Sequence, residues 1–330
     1  MRKTVCATLA VMMSVLFSPL SQAGQAWESY KARFFKPEGR IVDTGNGGVS
    51  HTEGQGFAML MAVANDDKAT FDKLWQWTNR ELKNKENGLF YWRYNPAESN
   101  PVADKNNAAD GDVLIAWALL KADARWHEKR YGAASDAITK ALVAHSVIRY
   151  AGYRVMLPGV QGFKLDGEAI LNPSYFVFPA WQAFAGRSHL PVWRDLIKDG
   201  KRLLGKMGSG KADLPADWVS LASDGKLEPA KGWPPRMSYD AIRIPLYLAW
   251  SDKQSPLLAP WKAWFGQFPR EQTPAWVNVM TNEYAPYMME GGLLAVRDLT
   301  MGQSSGEPEI TSKDDYYSAS LKMLVWISAQ

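Results

Sequence analysis

The sequence predicts an all-α protein, and three observations support this prediction. Apolar residues recur in many segments with the spacing of one helix face. Short stretches rich in glycine, proline and asparagine separate these segments, as expected for turns between helices. Strand-like alternation is scarce, with residues 147–157 as the best short candidate. Because no stretch has the composition of a linker, we expect ten to twelve helices packed in one large domain.

The helical pattern is clearest in four segments, where apolar side chains recur three and four residues apart. These segments run from Phe57 to Ala64, from Phe71 to Leu82, from Val113 to Ala124 and from Tyr317 to Val325. Further helices are expected near residues 25–35, 130–149, 175–186, 190–206, 240–250, 256–266 and 284–297. Breakers lie between them at Gly45 to Gly48, Asn95-Pro96, Gly208 to Gly210 and Pro234-Pro235.

The first residues have the pattern of a signal peptide. Arg2 and Lys3 form a basic start, an apolar stretch runs from Val5 to Leu16, and Ser21-Gln22-Ala23 supplies small residues for cleavage after Ala23. The apolar stretch is shorter than the ~20 residues that a spanning helix needs. We therefore predict a signal peptide at 1–23, a single catalytic domain at 24–330, and a secreted protein that is periplasmic or extracellular.

Cysteine and charge exclude several classes of function. The one cysteine, Cys6, lies in the predicted signal, so the mature chain has no disulfide and no thiolate metal site. Removing the signal lowers the net charge from +4 to +2, with the basic residues scattered, which argues against nucleic-acid binding. The 15 Trp, 13 Tyr and 12 Phe fit either a large core or the stacking of aromatic rings on sugars.

Glu53 is the first candidate for chemistry. Thr52 and Gln55 have the spacing of a capping box, which places Glu53 in the first turn of a helix. The carboxylate could simply complement the positive helix end. Glycines at 54 and 56 weaken a helix by ~1 kcal/mol each, so they indicate that backbone or a ligand comes close to Glu53.

Two further acidic motifs begin helices. Asp110 and Asp112 flank Gly111 and could be first-turn anions or calcium ligands, although the EF-hand pattern does not continue into residues 114–117. Asp240 and Arg243 stand at i, i+3. They could form a surface pair, or Arg243 could keep Asp240 charged, as a general base requires.

Other chemistries lack their motifs. The four histidines show no zinc spacing, no G-x-S-x-G elbow is present, and Ala212 replaces the hydroxyl residue that a phosphate loop needs after Lys211. We therefore expect no metal and no cofactor.

At this point the motifs resemble those of glycoside hydrolase family 8, over essentially the whole mature chain. The run from Ala109 to Trp126 resembles the family signature. The segments His51 to Gly56 and Ser238 to Arg243 resemble its acid motif and its base motif, and Asp315-Tyr316-Tyr317 resembles its C-terminal aromatic element. The run from Gly39 to Asp43 is similar to endoglucanases encoded beside bacterial cellulose synthases. The family usually has Ser or Thr where this chain has Ala109.

The resemblance implies a fold and a reaction. The fold is an (α/α)6 barrel, with six inner and six outer helices and an open cleft across one end. The reaction is the endo-hydrolysis of β-1,4-glucan with inversion of configuration. By the match of motifs, Glu53 is the proton donor, Asp240 is the base that activates water, and Asp110 positions the distorted sugar and stabilises charge. Inversion needs a water between acid and base, at a carboxyl separation of ~6.5–9.5 Å.

Substrate contacts are predicted for Arg243 and for five aromatic residues that could stack on sugars: Trp92, Tyr175, Trp233, Tyr316 and Tyr317. The partner is a β-1,4-glucan chain, and the protein is expected to be monomeric. Two alternatives stay open: a chitosanase, lichenase or xylanase of the same family, and a non-catalytic glycan-binding protein of an exopolysaccharide system.

Overall fold

A computed structural model of the chain describes residues 24–303 and 306–330. The predicted signal peptide, 1–23, lies outside these residues. Eleven α-helices are present in the described part of the chain, in agreement with the expected ten to twelve. They are α1 (Gln25–Phe34), α2 (Thr52–Ala64), α3 (Lys68–Glu81), α4 (Ala109–Trp126), α5 (Lys129–His145), α6 (Phe178–Ser188), α7 (Pro191–Leu204), α8 (Arg243–Ser251), α9 (Ala259–Phe265), α10 (Gly291–Thr300) and α11 (Tyr316–Ile327).

The strands are short and pair only antiparallel. They are β1 (Ser50–His51), β2 (Arg93–Tyr94), β3 (Val147–Tyr150), β4 (Tyr153–Met156), β5 (Glu168–Leu171), β6 (Val219–Ala222), β7 (Leu227–Pro229), β8 (Arg236–Met237) and β9 (Val277–Asn278). β3 and β4 form an antiparallel hairpin within 147–157, the best candidate for strand-like alternation, so the helix expected to reach residue 149 ends at His145.

Six helices form a closed inner ring, in which α2 packs on α4, and α6, α8, α10 and α11 follow in order back to α2. Helices α3, α5, α7, α9 and α1 pack outside the ring on α2, α4, α6, α10 and α11 respectively. This is the (α/α)6 barrel that the sequence resemblance implies. The outer layer differs from the expected six, because the described residues between α10 and α11 contain no helix.

The inner helices are apolar on nearly every face because they have neighbours on both sides. In α2, eleven of thirteen residues are buried, and in α4 thirteen of eighteen. The close contact between them depends on Gly56, where a Cβ would stand 2.5 Å from the Cβ of Leu114. The buried apolar side chains of the ring form one continuous core.

The largest difference from an expected helix start is at residues 284–290. The sequence pattern predicts a helix over 284–297, but α10 begins at Gly291. The preceding segment folds back on residues 273–278 instead: Ala285 N–H donates to Trp276 O at 3.0 Å, and Met289 N–H to Thr273 O at 2.7 Å. Pro286, which lacks an N–H, lies inside this segment and disfavours a helix there.

Candidate active site

A cavity of about 580 Å³ opens at the end of the ring where the inner helices begin. It is lined by Glu53 in the first turn of α2, Asp110 near the start of α4, Arg243 at the start of α8 and Tyr317 near the start of α11. Tyr175 lines it from the 3-10 turn before α6. Since helix N-termini carry partial positive charge, this end of the ring favours acidic side chains.

Glu53 occupies the first turn of α2 as predicted, but the capping box is wrong. His51 is the N-cap residue and makes no side-chain cap. The side-chain amide of Gln55 is buried and binds two other segments of the protein. Its Oε1 accepts from Ile41 N–H at 2.7 Å, and its Nε2 donates to Thr78 Oγ1 at 2.8 Å. Gln55 therefore fixes α2 to the core and leaves the helix end free to face the cavity.

The glycines near Glu53 make room for protein rather than for a ligand. A Cβ on Gly54 would stand 2.5 Å from the hydroxyl of Tyr316, and one on Gly111 would overlap Thr52 Oγ1. Through these contacts α11 and α4 both pack tightly against the first turn of α2. The backbone that carries Glu53 is held on two sides.

The side chains of Asp110 and Asp112 lie in different parts of the protein. Asp110 lines the cavity, and its side chain is only 4% exposed. Asp112 is buried in the core, where it accepts hydrogen bonds from Phe90 N–H at 2.9 Å and Asn107 Nδ2 at 2.8 Å. The two aspartates do not share a site, so the structure gives no support to the calcium alternative.

Asp240 lies in a turn and not inside a helix. The base motif was expected to open a helix near residue 240, but α8 begins at Arg243. The turn is closed by Ile242 N–H donating to Ser238 O at 3.0 Å and by Arg243 N–H donating to Asp240 O at 3.0 Å. The Asp240 side chain is 32% exposed, the most open of the three carboxylates.

Arg243 joins all three carboxylates. One terminal nitrogen contacts Glu53, and the other lies 3.0 Å from Asp240 Oδ1 and 3.6 Å from Asp110 Oδ2. The second nitrogen also donates to Ser174 Oγ at 2.9 Å. The sequence indicated only the i, i+3 partner Asp240. The contact with Glu53 crosses 190 positions of the chain, and it forms because α8 and α2, which lie on opposite sides of the ring, both begin at the same cavity.

Burial sets the electrostatics of this cluster. It raises the pKa of Asp110 well above the usual range, and the charge of Glu53 adds to the rise while Arg243 opposes it. Burial works against the charge of Arg243, but the carboxylates, Glu53 foremost, hold its pKa well above the usual value. The cluster therefore keeps a proton at pH values where an ordinary aspartate is ionised.

The predicted aromatic residues separate into three groups. Trp92, Tyr175 and Tyr317 line the cavity. Tyr316 is buried in the core with 3% of its surface exposed, so it cannot present a ring face to a sugar, and the stacking prediction for it is wrong. Trp233 is 37% exposed but does not line this cavity; one face of its ring stacks on Trp218.

Several cavity residues were not singled out from the sequence. Tyr239 belongs to the base motif and lies next to Asp240, and Asp315 is the N-cap of α11. Asp43 and His51 line the cavity beside Glu53, and the imidazole of His51 stacks on Trp92 with ring centroids 5.9 Å apart. All four residues stand within or beside the motifs quoted above, so their position in the sequence could have indicated them.

Within the part of the chain that the structure describes, no group of three or more His, Cys, Asp or Glu side chains has an arrangement that could hold a metal ion. Over those same residues, no helix has the length and apolar character needed to cross a bilayer.

The helical barrel brings acidic and aromatic side chains from its inner helix ends into an open cavity, an arrangement suited to the hydrolysis of glycosidic bonds. The family model for glycosyl hydrolases family 8 matches residues 1–330. The chain belongs to that family.

Known proteins support this assignment. An endoglucanase of Cellulomonas uda is 62% identical over 303 residues, which cover 92% of this chain and 84% of that protein. The crystal structure of a family 8 endoglucanase from Klebsiella pneumoniae superposes with a TM-score of 0.92 at 66% identity, covering 93% of this chain and 99% of that one. An endo-β-1,4-glucanase from Acetobacter xylinum gives a TM-score of 0.88 at 39% identity, covering 92% and 97%.

Proposed function

We propose that this protein is an endo-acting β-1,4-glucanase that hydrolyses cellulose-type glucan with inversion. The observation that carries the proposal is the meeting of Glu53, Asp110 and Asp240 around one buried guanidinium in an open cavity lined with aromatic rings. The high identity to proteins named endoglucanase supports β-1,4-glucan as the substrate.

Glu53 is proposed as the general acid and Asp240 as the general base. Protonation of the leaving oxygen needs an acid in the cavity wall, and Glu53 is held there by the packing around the first turn of α2. The base must reach a water on the opposite face of the sugar. Asp240, the carboxylate with the greatest exposure, is the side chain with the best access to water.

Asp110 is proposed to position the sugar at the central subsite. Its carboxyl is almost fully buried at the cavity floor, and Oδ1 accepts from Gly111 N–H at 2.8 Å. Because the pKa of Asp110 is raised, its carboxyl can carry a proton of its own, separate from the one that Glu53 delivers, and donate a hydrogen bond to a sugar oxygen. That role differs from a purely ionic stabilisation of the transition state.

Arg243 is proposed to fix the geometry of the acid and the base together. Its two terminal nitrogens contact Glu53 and Asp240 from one rigid, planar group. The side chains of Trp92, Tyr175 and Tyr317 are proposed as the sugar-stacking walls. The protein itself is proposed to be exported after cleavage behind Ala23, with residues 24–330 as one catalytic domain that acts as a monomer.

The test is hydrolysis of carboxymethyl-cellulose, lichenan, xylan and chitosan side by side, with Glu53→Gln and Asp240→Asn as matched controls. We expect carboxymethyl-cellulose to lose viscosity faster than reducing ends accumulate, since an endo-enzyme cuts internal bonds. Faster turnover of xylan or chitosan than of carboxymethyl-cellulose would show that the protein has another substrate specificity of the family. Binding without turnover of any of the four would identify a glycan-binding protein.

A further inference from the structure

Asp217 lies directly behind the turn that carries Asp240. It belongs to the long connection between α7 and α8, two residues before β6. Its backbone N–H donates to Arg236 O at 2.7 Å, which ties this part of the connection to β8. No motif in the sequence singles out Asp217, and it is absent from the lining of the cavity described above.

The carboxylate of Asp217 holds the Asp240 turn at both ends. Oδ1 accepts hydrogen bonds from Ser238 N–H at 2.9 Å and from Ala241 N–H at 2.8 Å. Oδ2 accepts from the Ser238 hydroxyl. The two backbone amides stand on either side of Asp240 in the chain, so one side chain fixes the segment from both directions.

Such an anchor matters because Asp240 lies outside α8. A residue within a helix is positioned by the i to i−4 hydrogen bonds of its own backbone, whereas the Asp240 turn precedes the first helical residue, Arg243. The turn also carries the 3.0 Å contact between Asp240 and Arg243. A shift of the turn would therefore move the carboxylate relative to both Arg243 and the water it activates.

We propose that Asp217 is a positioning residue for the general base: its carboxylate clamps the turn from Ser238 to Ala241 and places a second negative charge behind Asp240. This proposal rests on the proposed role of Asp240. Asp217 does not act on substrate itself, because its oxygens are occupied by three donors and it does not line the cavity.

The electrostatic part follows from burial. Burial raises the pKa of Asp217 to about 6, and the charge of Asp240 contributes in the same direction. On the strand behind it, the guanidinium of Arg236 lies over the Trp276 ring, 3.6 Å from the centroid. Ser238 and Ala241, the other partners, bring no charge. Above a pH of about 6 Asp217 is mostly ionised, and a second negative charge then stands behind Asp240.

Two substitutions separate the clamp from the charge. Asp217→Ala removes both, and Asp217→Asn keeps one oxygen that can accept from the two amides while it removes the charge. For Asp217→Ala we expect kcat to fall by about 10²-fold with KM within ~3-fold, since a misplacement of ~1 Å can cost this much. For Asp217→Asn we expect a smaller loss of kcat, with KM again little changed, because one oxygen still accepts from the two amides.

Asp199→Asn is the matched control. Asp199 is also a buried aspartate that accepts from a backbone amide, Arg154 N–H at 2.8 Å, and from an arginine, Arg202 at 2.8 Å, but it lies on α7. Its replacement should leave kcat and KM close to the wild-type values. Thermal unfolding of each variant reports whether the fold survives.

A folded Asp217→Ala variant that keeps kcat within twofold of wild type would overturn the proposal, as would an Asp217→Asn variant that loses as much kcat as Asp217→Ala. An equal loss of kcat in Asp199→Asn would also overturn it, because the effect would then be general to buried aspartates. Asp240→Asn tests the proposed base separately from the role of Asp217. If that variant remains active, the assignment of Asp240 as the base is wrong, whatever Asp217 does.

Discussion

Replacement of Arg243 by methionine tests the electrostatic organisation of the site. The guanidinium is 4% exposed and is the group that the three carboxylates share. Methionine fills a similar volume but leaves Glu53, Asp110 and Asp240 without their cation. Removing one partner of a buried ion pair costs about 3–5 kcal/mol, because the other charge stays buried and uncompensated.

The structure indicates which contacts make up this cost. Glu53 at 18% exposure and Asp110 at 4% should dominate, whereas Asp240 at 32% is screened by solvent and adds little. In domains of 150–250 residues, 1 kcal/mol shifts Tm by about 2–4 °C. With the lower coefficient for this longer chain, we expect Tm to fall by about 6–10 °C at pH 7.5.

The deficit should depend on pH, with a defined sign. The folded pKa of Asp110 is raised, so its contribution to stability is present at low pH and is lost as pH rises through that pKa. Arg243 opposes the rise, and its removal enlarges the loss. The difference in Tm between Arg243→Met and wild type should therefore be smaller near pH 4.5, where Asp110 keeps its proton, and largest at pH 7.5.

Thermal unfolding followed by circular dichroism at both pH values is the assay. Arg270→Met is the matched control, since Arg270 pairs with Asp298 at the surface, where an ion pair contributes about 0–1 kcal/mol. Adding Glu53→Gln to Arg243→Met should restore part of the lost Tm by removing one unpaired charge. A Tm within 2 °C of wild type at pH 7.5, or a deficit equal at both pH values, would refute this account of the site.

Three further predictions concern the reaction, the helix packing and the absence of metal chemistry. Proton NMR of a cello-oligosaccharide digest, read before mutarotation, should show the α-anomer first, because a single displacement inverts the β bond; an initial β-anomer would mean a covalent route. Gly54→Ala should lower the free energy of unfolding by about 1–3 kcal/mol, because the new methyl group overlaps the buried Tyr316 hydroxyl. Gly186→Ala in α6 is the control, because nothing lies within 4 Å of the new methyl group, and it should raise the free energy of unfolding by about 0.5–1 kcal/mol in the same denaturant titration. Equal losses of stability in the two variants would show that close packing is not the cause. Activity should be unchanged in chelator and in reductant, and a loss restored by one divalent cation would contradict the prediction of a metal-free site.

Much of the site could be predicted because its acidic residues lie in short motifs. Glu53, Asp110 and Asp240 each stand at or beside a helix start, and the structure brings all three into one cavity. The helical periodicity also predicted most elements of the fold, since an apolar stripe is a local property of the chain. The failure at 284–290 has a different cause: the backbone there pairs with residues 273–278 instead of forming its own helix, and periodicity does not show such a partner.

The sequence by itself determined which residues are acidic, where helices can form and which motifs the chain shares with a family. Only the tertiary structure decided how these parts face one another. Tyr316 and Tyr317 are neighbours on one helix, yet the ring of Tyr316 is buried against α2 while that of Tyr317 lines the cavity. The spacing of Arg243 indicates Asp240, but its contact with Glu53 spans 190 positions. The physical reason is that spacing along the chain fixes only the direction of a side chain within its own helix, whereas the packing of six helices into a closed ring fixes which directions converge.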